Sequence, residues 1–236
     1  MIDDQDRTSE PADAKTDEAG TESGEPEKKK GSFWRELPIL LVIAVVVAVV
    51  VRSFVIQSFW IPSGSMENTL QLDDYVLANK LVYDFADPER GEVVVFESPM
   101  EWRSNPDEED FIKRIIAVGG DTVSYDADEG FIRVNNHPID ESEYLYTDPT
   151  TGIQQSPSRQ DQEFSVVVPP GRLWVMGDHR WASGDSRERY QRTGDAMAST
   201  IPVDAVVGKA FVLIWPLDRF TFLTVPDTFD QVPDPA

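Results

Sequence analysis

The sequence contains no cysteine. Disulfides, thiol nucleophiles and cysteine-ligated zinc are therefore excluded, and thiol usage says nothing about compartment. Histidine is nearly absent. His137 and His179 are the only two, too few for a His-rich metal centre, and nothing else in the sequence calls for a cofactor. Positive charge is scarce too. Twenty-one basic residues stand against 43 acidic ones, for a formal net charge of −22. Such a surface disfavours nucleic acid, whose phosphates demand Lys and Arg. The 236 residues suffice for one sizeable domain with appendages.

Charge is missing altogether from Leu37 to Val51, "LPILLVIAVVVAVVV". As a helix this run spans ~22 Å at ~1.5 Å per residue. Phe33 and Trp34 before it, and Phe54, Val55 and Ile56 after it, extend it towards the ~30 Å of a hydrocarbon core. A core helix of a water-soluble protein keeps a polar face, and this run has none. The expectation is a transmembrane signal-anchor over residues 33–56. The long leader and the lack of a small-x-small site after Val51 argue against a cleaved secretory signal. Lys28, Lys29, Lys30 and Arg35 precede the run and only Arg52 follows closely. This asymmetry places the N-terminus in the cytoplasm and the rest outside, in a single-pass protein of the cytoplasmic membrane. Residues 1–32 hold few large apolar side chains and read as a disordered acidic tail.

Beyond the anchor the pattern is mostly β. Short runs such as "DYVLANKLVY", "GEVVVFES", "DFIKRIIAVGG" and "VVGKAFVLIW" are separated by turn clusters such as "DPERGE", "DADEG" and "PPG", the spacing of a β-rich domain over 57–225. A polar, proline-containing stretch near 140–163 reads as a surface excursion between strands. Residues 226–236 read as a flexible tail.

Three stretches carry candidate chemistry. In "IPSGSMENTL", Ser63 and Ser65 flank Gly64 directly after Pro62, in a turn that can expose a hydroxyl. A serine is a weak nucleophile until a base takes its proton. His179, in "GDHRWASGDSR", is one candidate base; His137, in the turn-like "VNNHPID", suits solvent better. Lysine is another, if burial strips its charge. Lys113 sits in "FIKRII", where strand alternation puts Phe111, Lys113 and Ile115 on one face and Ile112, Arg114 and Ile116 on the other. By pattern alone a solvated strand lysine is the favoured reading. In "GDHRWASGDSR", Asp178, Arg180, Asp185 and Arg187 can brace a loop through Asp–Arg pairs. A divalent-metal loop is the other reading, against which the arginines compete for the carboxylates.

Taken in order, "IPSGSM", "DYVLANK", "FIKRIIAVGGD", "VNNHPIDESEYL" and "MGDHRWASGDSR", after an N-terminal anchor, resemble the type I signal peptidases, membrane-anchored serine proteases that remove signal peptides from exported proteins. The likeness runs to about Arg219. It implies a mostly β catalytic domain, secreted preproteins as substrates and membrane lipid as a partner. It implies Ser65 as nucleophile, Lys113 as general base, Ser63 as an oxyanion donor beside the Ser65 N–H, and Ser183 as the residue that orients Lys113. Asp185 and Arg187, supported by Asp178 and Arg180, would brace the loop. Phe59, Ile61, Pro62, Met66, Leu70, Phe111 and Ile112 fall where the family lines its small-residue pockets. Glu67-Asn68, His179 and Trp181-Ala182 depart from the family pattern. An anchored β-domain that binds partners without chemistry, or a protease that cuts only itself, are the competing classes. Oligomeric state is not written in the sequence.

Overall fold

The structure, a computed structural model, describes residues 33–158 and 162–235. The described residues fall into two units, divided between Ala44 and Val45. The acidic leader read over 1–32 lies outside the described residues. Helix α1 covers Phe33–Phe54 and ends two residues short of the expected segment, because Ile56 already belongs to strand β1. The side chains described in α1, residues 36–49, are all exposed. Among the described residues no helix is long and apolar enough to cross a membrane.

The second unit carries two antiparallel sheets. The larger uses β1 (Ile56–Trp60), β2 (Tyr75–Asn79), β3 (Val93–Glu97), β4 (Asp110–Val118), β9 (Arg172–Met176), β10 (Ile201–Pro202), β11 (Val206–Trp215) and β12 (Thr221–Phe222). Its order is β1-β2-β11-β3-β4-β9-β10, with β12 on β11. The smaller sheet, in the order β7-β6-β5-β8, is built from β5 (Thr122–Asp126), β6 (Phe131–Val134), β7 (His137–Pro138) and β8 (Phe164–Val167). One short helix, α2 (Ser186–Thr193), follows β9. The mostly β expectation therefore holds for this unit.

Local chemistry explains these elements. Asn135 and Asn136 both take positive φ, 51° and 64°, the backbone that a two-residue hairpin turn needs and that Asn tolerates. β5 and β6 alternate buried and half-buried positions, as strands with one covered face do. β4 instead is buried without a break from Ile112 to Ala117, so both its faces are covered. Three apolar clusters meet on it. Ile112 joins Ile61, Met66, Leu70 and Val76; Ile115 joins Val94, Phe96 and Trp102; Ile116 joins Val123, Ile132 and Trp174.

Two boundaries differ from the sequence reading. Residues 226–236 are not a free tail: Asp227–Gln231 form a 3-10 turn, Phe229 and Val232 are buried in the third cluster, and Asn135 Nδ2 donates to the Pro233 carbonyl at 2.8 Å. Two large apolar side chains, Phe229 and Val232, among the eleven residues of this segment are a faint signal, yet they find a core to enter. The excursion near 140–163 likewise contributes to the interior, burying Glu141, Tyr144 and Leu145.

Candidate active site

Ser65 sits in a 3-10 turn, Gly64–Met66, that follows β1. The turn is pinned at its base by Ile61 N–H to the Asp74 carbonyl, 2.9 Å, and Asp73 N–H to the Ile61 carbonyl, 3.0 Å. Ile61, Met66 and Leu70 are buried beneath it, so the apolar residues around "SGS" act as anchors that leave the hydroxyls uppermost. Lys113 reaches the turn from β4, where its register partner on β3 is Val94. Its Nζ donates to Ser65 Oγ at 2.8 Å and to the Ile112 carbonyl at 2.9 Å. Ser63 Oγ donates to Ser65 Oγ at 3.4 Å.

Ser65 and Lys113 are 5% and 4% exposed, and that burial sets their chemistry. Withdrawal from water pushes the Lys113 amine down to about 8, although the Asp185, Asp178 and Glu108 carboxylates pull it up. Desolvation penalises the ammonium and leaves the neutral amine accessible near neutral pH. The Phe111 ring centroid lies 5.3 Å from Nζ.

The loop after β9 closes the site from behind. A Cβ on Gly177 would fall 2.4 Å from both the Ser65 carbonyl oxygen and Ser183 Oγ, so only glycine permits this approach. Asp185 caps α2 by accepting from Glu188 N–H at 3.2 Å, and it accepts from Gly177 N–H at 3.2 Å. Arg187 lies 3.4 Å from Asp185. The expected pairing of Asp178 and Arg180 inside this loop is not what forms. Asp178 takes a bidentate contact from Arg114, at 2.9 and 2.8 Å. Arg180 is bound by Glu141 of the excursion, with its NH1 donating at 2.9 Å. A buried guanidinium needs a fully desolvated carboxylate, and the nearest loop carboxylates are already taken. Ser183 is also placed differently from expectation. Its Oγ is buried with no hydrogen-bond partner, while Lys113 uses the Ile112 carbonyl instead.

A cavity of ≈ 250 Å³ opens over Ser65 and Lys113, bounded among others by Pro62, Ser63, Phe111, Ile112 and Ala182. Of the residues expected to line small-residue pockets, Pro62, Phe111 and Ile112 border this cavity. Ile61, Met66 and Leu70 belong to the cluster under the turn, and Phe59 packs against that cluster. Their shape is felt through the turn, not through the cavity wall. β9 pairs with β4 only from Arg114 onward, while β3 covers the other edge of Asp110–Lys113. The cavity-facing edge of β4 is thus free of a strand partner in the larger sheet. Among the described residues no group of three or more His, Asp or Glu is placed to hold a metal ion.

Sequence reasoning missed Arg114 and Glu141 as supports. The signal for Arg114 was present, since two adjacent cations in an apolar strand each need an answer to burial, one on each face. Glu141 carried no signal beyond its place in a polar stretch.

The family described as "Signal peptidase, peptidase S26" matches residues 34–215. The chain belongs to that family of signal peptidases. A signal peptidase I of Mycobacterium tuberculosis is 39% identical over 245 residues, covering 89% of this chain and 82% of that protein. A probable signal peptidase I of Mycobacterium leprae is 37% identical over 242 residues, covering 86% and 83%. A crystal structure of a signal peptidase I from Enterococcus faecalis aligns with a TM-score of 0.36 at 20% identity, over 52% of this chain and 97% of that one. Within the signal peptidase family, the pairing of a buried hydroxyl with a buried amine is the feature from which a reaction can be built.

Proposed function

We propose that this protein is a serine endopeptidase that cleaves N-terminal signal peptides from exported preproteins, with Ser65 as nucleophile and Lys113 as general base. The observation that carries the proposal is the 2.8 Å contact between Lys113 Nζ and Ser65 Oγ, made by an amine that burial has pushed down to about 8. The neutral amine takes the Ser65 proton as Oγ attacks the scissile carbonyl. The oxyanion so formed is met by Ser63 Oγ–H and by the Ser65 N–H, which at the start of a 3-10 turn has no partner within the turn. The tetrahedral intermediate collapses, the C–N bond breaks, and the leaving amine takes the proton from the Lys113 ammonium. A water, deprotonated by Lys113 in turn, attacks the ester on Ser65 and releases the signal peptide as a carboxylate.

The preprotein binds extended, adding a strand to the free edge of Asp110–Lys113. The small cavity bounded by Phe111 and Ile112 suits small side chains at the first and third positions before the cut. In this reading the uncharged run Leu37–Val51 anchors the chain at the membrane, with the N-terminus cytoplasmic and the catalytic unit on the outer face of the cytoplasmic membrane. A second contact with lipid supports that placement. Trp60, Tyr75 and Trp215 are register partners across β1, β2 and β11 and are 53%, 42% and 54% exposed. They form a row of aromatic side chains of the kind that settles at membrane interfaces. Liposome flotation of residues 57–236 tests it: material that stays at the bottom of the gradient removes the lipid contact.

The decisive experiment is cleavage of a preprotein with an Ala-x-Ala junction by detergent-solubilised protein, wild type beside Lys113→Ala, with the products read by mass spectrometry. A single cut after the final Ala, absent in the variant, is the expected result. Cleavage retained by folded Lys113→Ala overturns the assignment of the base.

A further inference from the structure

Two of the family departures meet in space beside the Ser65 turn. His179, in the loop after β9, donates its backbone N–H to the Ser65 carbonyl at 3.1 Å. Its Nδ1 faces two acceptors, the Gly64 carbonyl at 3.2 Å and Glu67 Oε2 at 2.7 Å. A ring nitrogen between two oxygens must carry the hydrogen, so Nδ1–H is the donor to both. The ring lies flat on Tyr146, with centroids 3.9 Å apart and planes 9° from parallel. Tyr146 is itself held, its N–H donating to the Asp178 carbonyl and its carbonyl accepting from Gln155 N–H, each at 3.0 Å. The Glu67 carboxylate lies across Gly64, where a Cβ would meet its Cδ at 2.9 Å.

We infer that Glu67 and His179 work as one positioning pair that aims the oxyanion-binding N–H of Ser65. The reasoning is geometric. A trans peptide is planar and sets its C=O and N–H in opposite directions. The Gly64 carbonyl and the Ser65 N–H belong to the same peptide. That carbonyl already accepts from the Glu67 N–H of the turn at 3.1 Å. The bond from His179 adds a second hold from outside the turn, and a carbonyl fixed on both keeps the Ser65 N–H directed the opposite way. The bond to the Ser65 carbonyl fixes the next peptide plane, and the two planes together set the direction of the Ser65 side chain. Glu67 orients the ring through Nδ1–H and Tyr146 limits its tilt. Neither Glu67 nor His179 touches the reacting atoms; both act through the backbone of the turn.

The inference rests on the Ser65–Lys113 reading, so wild type and Lys113→Ala are assayed alongside. Cleavage by the first and not the second secures that reading before the pair is judged. The variants are His179→Ala, Glu67→Ala, the double variant and Glu67→Gln, in the full-length chain. Their kcat and KM are measured on the Ala-x-Ala preprotein at a temperature well below every unfolding midpoint. Contacts that act in the transition state lower kcat and leave KM alone. Each alanine variant is expected to lose ~10- to 100-fold in kcat, the scale of a small misplacement of reacting groups. KM stays within about twofold of wild type. The double variant should lose no more than the worse single one, since the two residues form one unit. Glu67→Gln should recover most of the rate, because its amide oxygen still accepts from Nδ1–H. A raised KM at unchanged kcat, multiplicative losses in the double variant, or no recovery with Gln overturns the proposal. If His179→Ala does not fold, the contrast between Glu67→Ala and Glu67→Gln decides alone.

Discussion

The two faces of β4 make the sharpest contrast in the molecule. Lys113 and Arg114 are adjacent, cationic and equally buried, at 4% and 2% exposure. On one face Lys113 meets a hydroxyl and a carbonyl, and the acidic groups that bear on it do not outweigh desolvation. Its amine is pushed down to about 8. On the other face burial again opposes the charge, but the Asp178 carboxylate forks onto the guanidinium and holds Arg114 above its ordinary value. The Tyr144 ring, 4.3 Å from the guanidinium carbon, covers it further. Burial by itself therefore does not decide what a cation does. The partner decides: a carboxylate in contact holds Arg114 charged, while a hydroxyl and a carbonyl leave the penalty of burial on Lys113 uncompensated.

The largest expected effect comes from removing the base. Lys113→Ala should lower kcat by at least ~10³-fold with the fold retained by circular dichroism. Lys113→Arg should be as inactive, because a guanidinium does not surrender its proton. A Lys113→Arg protein that keeps a tenth of the rate would erase the distinction between the two faces.

Next comes the opposite face. Asp178→Ala leaves Arg114 buried without its counter-charge, a loss of ~3–5 kcal/mol. For a unit of this size that is a fall in Tm of roughly 6–20 °C by calorimetry. Adding Arg114→Met to Asp178→Leu should restore most of it, and an unchanged Tm in Asp178→Ala would show that the fork is not needed.

Ser63→Ala should cost ~10²–10³-fold in kcat, about 2.7–4 kcal/mol, with little change in KM. The reverse split would remove Ser63 from the oxyanion site.

The smallest effect is in pH. The folded Lys113 sits at about 8 against an ordinary 10.5, so between those values the unfolded chain binds the extra proton. Stability should therefore rise with pH across that window, by up to ~3 kcal/mol. Below it, folded and unfolded forms are both protonated and the cost of burying the ammonium is carried in full. Lys113→Met should flatten the slope above about pH 8 in urea titrations made at successive pH values. Nearer pH ~10, Tyr83 and Tyr144, whose pKa values are raised by burial, contribute with the opposite sign. The activity of wild type should climb with pH to half-maximum near about 8, as the amine loses its proton.

Much of the site was legible before any fold was known. "SGSM" and "FIKRII" stand out because small hydroxyls after an apolar run, and a lysine inside one, are costly choices that packing alone does not demand. The strands were legible from their β-branched runs, and the hairpin at Asn135-Asn136 from its turn chemistry. The carboxylate partners were not legible. "GDHRWASGDSR" suggests arginines and aspartates that satisfy one another locally. In the structure Asp178 answers Arg114, 64 positions earlier, and Arg180 answers Glu141, 39 positions earlier. Charge pairing has no sequence period, so local spacing cannot select the partner. Phe229 and Val232 were hidden for a similar reason: two apolar residues in a polar tail show no periodicity to read.

The sequence by itself determined the kinds of chemistry open to this protein. Without cysteine and with two histidines, a thiol nucleophile and a His-rich metal centre were excluded, and the ordered motifs carried the family. Tertiary structure decided which candidate base meets the Ser65 hydroxyl and how far its charge is penalised. Strand β4 could present Lys113 to solvent or to the Ser65 turn with equal local comfort. Only the tertiary fold buried the amine, to 4% exposure, and brought Nζ to 2.8 Å from Ser65 Oγ. Desolvation is a property of what surrounds a group in space, and the side chains that share the cavity with Lys113 come from segments far apart in sequence: Pro62, Ser63 and Ser65, Trp102, Phe111 and Ile112, and Ala182.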